Sequence, residues 1–149
     1  MLERKLKPAS LPYENATSGK RAVQEMQKIL ERIGASKFGY MEDFDKAEVM
    51  VQFQYRDWPV TIRASGKGYA AIWLRRHPWN YRLRISKTDY ERKALHKGQT
   101  AVYSILRDWI KGQVMAIETG MLSFEGAFLV SSCCRVARPC WNGSSATTC

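Results

Sequence analysis

The alternation of apolar and polar positions is sharpest between residues 47 and 65. Val49, Val51, Phe53 and Tyr55 alternate with Met50, Gln52, Gln54 and Arg56. After the break at Asp57-Trp58-Pro59 the alternation resumes, with Val60, Ile62 and Ala64 against Thr61, Arg63 and Ser65. Successive residues of a strand point to opposite faces, so this pattern predicts a half-buried antiparallel hairpin. Residues 37–42, KFGYME, with Phe38 and Tyr40 on one face, predict a further strand before it, joined through the acidic turn Glu42-Asp43-Phe44-Asp45.

The flanking segments carry the other period. Val23, Met26, Ile29, Leu30 and Ile33 fall three and four apart, which predicts a helix capped by Thr17 or Ser18 and stopped by Gly34. Ser65-Gly66-Lys67-Gly68 bends the chain into a short helix from Tyr69 to Arg76, with Tyr69, Ile72 and Trp73 facing the sheet. His77-Pro78 ends it, because a residue before proline is pushed out of the helical region. After the connector 79–86, WNYRLRIS, a long helix is expected from about Lys87 to Thr119, with Gly98 and Gly112 as weak points and a bend or break near Gly98. Gly120 ends it, and Ser123 caps a last helix, SFEGAFL. These elements predict an α+β domain: helix, three-stranded antiparallel meander, then short, long and short helices packed on one sheet face.

Residues 1–17 hold Pro8 and Pro12 and show no period, so they are expected to form a mobile arm, with one domain over 18–129. The segment 130–149 differs in kind. It contains all four cysteines, Cys133, Cys134, Cys140 and Cys149, and no apolar period. Back-translation with permitted codons and a one-base shift turns it into GQQLLPSGKTVLERVERDNL, which has an apolar stretch, a proline-glycine turn and an amphipathic run. Residues 130–149 are therefore expected to be a poorly packed, out-of-frame product of a one-base lesion near codon 129, and their cysteines miss every zinc spacing.

The chain has 149 residues, enough for one domain with a core of its own, and a formal net charge of +10. Such an excess favours anionic partners, although a basic protein with merely solvated lysines has the same balance. No stretch approaches the length of a membrane span, and the N-terminal residues lack the apolar core of a secretory signal, so a cytoplasmic protein is expected.

The positive charge is concentrated. Between residues 75 and 97 there are eight Lys or Arg against Asp89 and Glu91, a local net of +6. Within this stretch Arg75, Arg76, Trp79, Tyr81, Arg82, Arg84 and Lys87, accompanied by His77, combine phosphate-gripping forks with rings that stack on bases, the pattern of a surface for RNA or single-stranded nucleic acid. Arg63 and Lys67 extend it if the fold brings them alongside. The competing arrangement is a solvated connector whose aromatics pack inward.

Other clusters suggest less. Gly66-Lys67-Gly68 lacks the spacing of a phosphate loop and reads as a tight turn. Glu42, Asp43, Asp45, Glu48 and Asp57 lack the lysine a metal nuclease would place beside them. His77 and His96 are too few for zinc or hydrolase chemistry. No catalytic, metal or cofactor site is expected. Trp58 at the hairpin tip either anchors a protein partner or folds back on the sheet. The stripe Val102, Ile105, Leu106, Trp109 and Ile110 reads as core, with a homodimer seam as the alternative.

The hairpin VQFQYRDWPVTIRAS, the following GYAAIWLRRHPW and above all AVYSILRDWIKGQVMAIETGMLSFEGAFL resemble an uncharacterised family of small bacteriophage- and prophage-encoded proteins, over about residues 10–129. The resemblance implies a mobile-element origin and supplies no site residue. The expected function is that of a non-enzymatic protein binding nucleic acid or a nucleoprotein complex in a bacterial host cell. The alternative is an anti-CRISPR-type inhibitor that binds a host defence protein complex.

Overall fold

The computed structural model describes residues 10–129, and these form an α+β domain. Residues 1–9 and the segment 130–149, with its four cysteines and the expected frame change, lie outside the described residues. The sheet is a meander in the order β1-β2-β3, with β1 Ala35–Asp43, β2 Glu48–Tyr55 and β3 Trp58–Ser65. Register follows the alternation: Val51 sits opposite Tyr40 on one side and Ile62 on the other, and Phe53 opposite Phe38 and Val60. The Asp57-Trp58-Pro59 break is narrower than the sequence suggests, since Trp58 and Pro59 already belong to β3, paired with Tyr55 and Gln54. Proline is tolerated there because β3 is an edge strand.

Helix α1, Gly19–Arg32, starts at Ser18, whose Oγ accepts the Arg21 N–H at 3.3 Å, and ends before Gly34 at φ +93°. Ala22, Val23, Met26 and Leu30 are its buried face. Helix α3, Lys87–Glu118, runs without interruption through Gly98. Its Val102, Leu106, Ile110 and Val114 line the core with α1 and the inner face of the sheet. Each large aliphatic so buried stabilises the fold by about 1.5–3 kcal/mol. Of the expected α3 stripe, Ile105 lies outside the core and is exposed, while Tyr103 and Ser104 are buried. Arg32 grips Glu118 with two bonds of 2.9 and 3.1 Å, tying the C-terminal ends of α1 and α3 together. Beyond Gly120 a single wide turn, Glu125–Leu129, closes the open end of the core with Phe124 and Phe128, the latter edge-on to Phe53 and Trp109.

Two expectations need correction. Helix α2, Lys67–Arg76, seats against α3 rather than the sheet: Ala70 and Trp73 form a second, smaller core with Tyr90, Ala94 and Leu11, while Ile72 faces outward. The first-turn backbone makes this possible. An alanine methyl at Gly98 would collide with the Gly66 carbonyl oxygen, so the two backbone segments touch where neither carries a side chain. Gly98 is thus a packing residue and not a break. The second correction concerns residues 10–17 of the expected arm, which are anchored to α2 although most of their side chains are exposed. Leu11 is buried against α2, the Pro12 carbonyl accepts the Tyr69 hydroxyl at 2.6 Å, and Glu14 accepts the Trp73 Nε1–H at 3.1 Å. An aperiodic segment is fastened to α2 here by one apolar side chain and two hydrogen bonds, and the Leu11 N–H to the Glu14 carboxylate at 3.1 Å braces it from within.

Candidate nucleic-acid interface

The connector between α2 and α3 is built and held at several points. His77 ends α2 with its N–H on the Trp73 carbonyl, and its own carbonyl accepts the Tyr90 hydroxyl at 2.9 Å, which fixes the start of the connector to α3. Asn80 Oδ1 accepts the Arg82 N–H at 3.0 Å and starts a short 3₁₀ turn, Tyr81–Leu83, which Arg84 terminates in the left-handed region at φ 52°. Trp79 Nε1–H donates to the Ile85 carbonyl at 2.9 Å and closes the loop on itself. Ser86 then caps α3 by accepting the Asp89 N–H at 3.1 Å.

From this frame Arg75, Arg76, Arg82, Arg84 and Lys87 all reach solvent. Among the described residues, Arg75, Arg82, Arg84 and Lys87 have no carboxylate at ion-pair distance, whereas Arg92 is paired with Asp89 at 2.9 Å. Tyr81 stands 80% exposed at the crest of the turn, with arginines on both sides in sequence. Its ring is open for stacking. Trp79, at 38% exposure, spends its N–H on the loop, so it is a structural member of the surface as much as a contact.

Behind the connector lies a charged cluster that sequence reasoning missed. The His77 ring stacks on Trp73 at 4.7 Å, its Nε2 lies 3.4 Å from Glu14, and Lys97 Nζ sits 5.6 Å above the Trp73 ring. Burial raises the Glu14 carboxyl, but the bonds from Trp73 and the Leu11 amide, with the nearby His77 and Lys97, outweigh it and hold the carboxyl below its ordinary range. The exposed Leu83 and Ile85 were also missed. Their signal was the period-two run Trp79, Tyr81, Leu83, Ile85 in a segment that forms no strand.

The two proposed extensions of the patch stand on other parts of the fold, β3 and the first turn of α2. Arg63 alternates with the inward Ile62 and Ala64, so it projects from the sheet face opposite the helices, beside Met50 and Met41. Lys67 is in the first turn of α2, about 12 Å along the helix axis from Arg75 at 1.5 Å per residue. Gly66, which would have to cradle an anion, is instead packed on α3, with its N–H on the Ala47 carbonyl at 2.9 Å.

The other clusters resolve as structural elements. Asp43 accepts the Lys46 N–H at 3.0 Å within the β1–β2 turn, and Glu42 accepts the Tyr103 hydroxyl, whose pKa is raised by burial and then by that bond. Among the described residues no three His, Cys, Asp or Glu side chains gather as metal ligands do. Trp58 is half exposed at the hairpin tip. No helix of the described residues is long and apolar enough to cross a membrane. No protein-family model, curated protein or solved structure matches the chain.

Proposed function

We propose that this chain is a non-enzymatic phage or prophage protein that binds nucleic acid, alone or within a nucleoprotein complex, through the α2–α3 connector. The observation that carries the reading is Tyr81, exposed on a turn pinned at both ends, near Arg75, Arg82 and Arg84, which have no carboxylate at ion-pair distance among the described residues. A base stacked on an aromatic ring contributes about 1–3 kcal/mol, and flanking guanidinium groups supply salt-dependent phosphate contacts. A pre-ordered loop also loses less conformational entropy on binding. The exposed Leu83 and Ile85 favour a second reading, a protein partner in a host defence complex, because neither side chain has anything to offer a phosphate.

The test is fluorescence anisotropy with labelled single- and double-stranded DNA and RNA at about 50 and 200 mM salt. The comparison is a triple Arg75→Ala, Arg82→Ala, Arg84→Ala variant and a Tyr81→Ala variant. The expected result is tight binding at low salt and a log–log salt slope about two units shallower for single strands in the triple variant, from roughly 0.7 per phosphate contact. Tyr81→Ala should weaken binding at least about fivefold at an unchanged slope. Absence of binding to every oligonucleotide at low salt refutes the nucleic-acid reading and leaves a protein complex as the partner.

A further inference from the structure

A cavity of about 550 Å³ opens between the first turns of α1 and the middle of α3, lined by residues 10–18 together with Arg21, Ala22, Glu25, Ser104 and Arg107. Its size falls within the roughly 300–1,000 Å³ of small-molecule sites. It shares Glu14 with the cluster behind the connector, and its walls are rich in donors.

The positive end of the α1 dipole faces it through Thr17 and Ser18. The first turn of α1 holds no acid and carries Lys20 and Arg21 instead, so no carboxylate of that turn neutralises the helix end. Ser18 Oγ accepts the Arg21 N–H, which leaves its own O–H to donate. Arg21 spends Nε on Glu25 at 3.3 Å, and Arg107 spends Nε on Asp108 at 2.8 Å and Nη1 on Glu25 at 3.3 Å, so both guanidinium groups keep further N–H donors. The two carboxylates in the wall are already engaged: Glu25 by these arginines, and Glu14 by Leu11, Trp73 and His77.

An independent observation comes from α3. Ser104 is only 7% exposed, lines the cavity, and its hydroxyl has no hydrogen-bond partner among the described residues. No side-chain donor or acceptor among those residues is sealed from solvent without a partner, so the Ser104 oxygen keeps some access to solvent. Thr100, one turn earlier on the same helix, bonds the carbonyl four residues before it in the usual way, at 3.0 Å. A hydroxyl with no protein partner at the wall of a cavity is free to donate to a ligand that enters it.

We propose that this cavity binds a small oxyanion, a phosphoryl or carboxylate group, received by the Ser104 and Ser18 hydroxyls and the remaining donors of Arg21 and Arg107 at the positive end of α1. The helix terminus supplies the field and the arginines the directional bonds.

The experiment is an amide ¹⁵N–¹H titration of the full chain with inorganic phosphate and, separately, acetate, at an ionic strength held constant with sodium chloride. The expected result is a saturable shift of the Ser18, Arg21 and Ser104 amides. Saturation by phosphate alone identifies a phosphoryl ligand, and saturation by acetate alone a carboxylate. Ser104→Ala should weaken the binding about fivefold and Arg21→Gln about tenfold. Arg21 is a surface residue, so its variant keeps the fold if Ser104→Ala disturbs α3. Affinity indifferent to either substitution, shifts confined to residues 75–87, or no saturable shift with either oxyanion overturns the proposal.

Discussion

Replacing Gly98 by alanine sets two effects of known sign against each other. Helix propensity alone stabilises the variant by about 1 kcal/mol, because glycine in a helix interior loses more backbone entropy than alanine. The new methyl carbon, however, would stand 3.2 Å from the Gly66 carbonyl carbon and 3.3 Å from the Ala70 Cβ, with the Gly66 carbonyl oxygen nearer still. A carbon–oxygen contact normally lies near ~3.3 Å, so α2 would have to retreat by about 1 Å. It cannot do so freely, since Gly66 is bonded to Ala47 at 2.9 Å on one side and to Ala70 at 3.0 Å on the other. Overpacking of this kind costs about 1–3 kcal/mol, and a clash with backbone, which has no rotamer to change, belongs at the upper end. The net expectation is a loss of about 2 kcal/mol. Gly112 provides the internal control. It lies in the same helix, and a methyl carbon added there would meet nothing within 4 Å, so Gly112→Ala should gain about 1 kcal/mol. At about 3–4 °C per kcal/mol for a domain of this size, the two variants should melt roughly 10 °C apart. Urea unfolding followed by circular dichroism and by tryptophan fluorescence measures both. A Gly98→Ala protein as stable as the wild type would show that α2 does not press on α3 at this point.

Phe128→Ala should cost about 3–5 kcal/mol in the same assay, since the ring is buried among Phe53, Trp109 and Phe124, while Phe44→Ala, 78% exposed, should stay within about 0.5 kcal/mol of wild type. Arg84→Gly should raise stability by about 1 kcal/mol, because glycine accepts φ 52° without the strain arginine carries there, and should make the salt slope of nucleic-acid binding about 0.7–0.9 units shallower; a loss of stability alongside the shallower slope would contradict the separation. The Asp108 carboxyl is held below its ordinary value by the bond from Arg107, against burial and with help from the Tyr13 hydroxyl. A depressed carboxylate stabilises the fold above its unfolded pKa, near ~3.8, and that contribution is lost as pH falls through the lower folded value. Asp108→Asn should therefore flatten the loss of stability between about pH 5 and pH 2 by less than ~1 kcal/mol, as Asp108 is 40% exposed and screened; an equally steep acid limb would exclude this group as a source.

What the chain states locally, it states well. The period-two run from Val49 to Ala64 placed two strands and their inward faces, and the three-four spacing from Val23 to Ile33 placed α1. Ser18, Gly34 and Gly120 sit where caps and stops are needed, and Ser123 Oγ accepts the Gly126 N–H at 3.1 Å as a cap should. The basic, aromatic composition of residues 75–87 was equally plain, and the fold leaves most of it at the surface.

Periodicity reports that a face is buried but not what covers it. Tyr69, Ile72 and Trp73 read alike in α2, and only the crossing of Gly66 over Gly98 turns Trp73 inward onto Tyr90 while Ile72 is left in solvent. Arg63 sits close to the patch in sequence, yet strand alternation turns it to the sheet face opposite the helices, and Lys67 stands about 12 Å along α2 from Arg75. Residues 10–17 have no period at all. Their order comes from Leu11, Pro12 and Glu14 meeting α2 across more than 55 residues of chain, and with them come the wall of the cavity and the unpaired Ser104 hydroxyl. Elements, their faces and the location of the charge depend on neighbours within a few residues, so the linear chain already specifies them. The seat of α2, the two packing glycines and the cavity are contacts between distant segments, and these exist only once the helices and the sheet have come together.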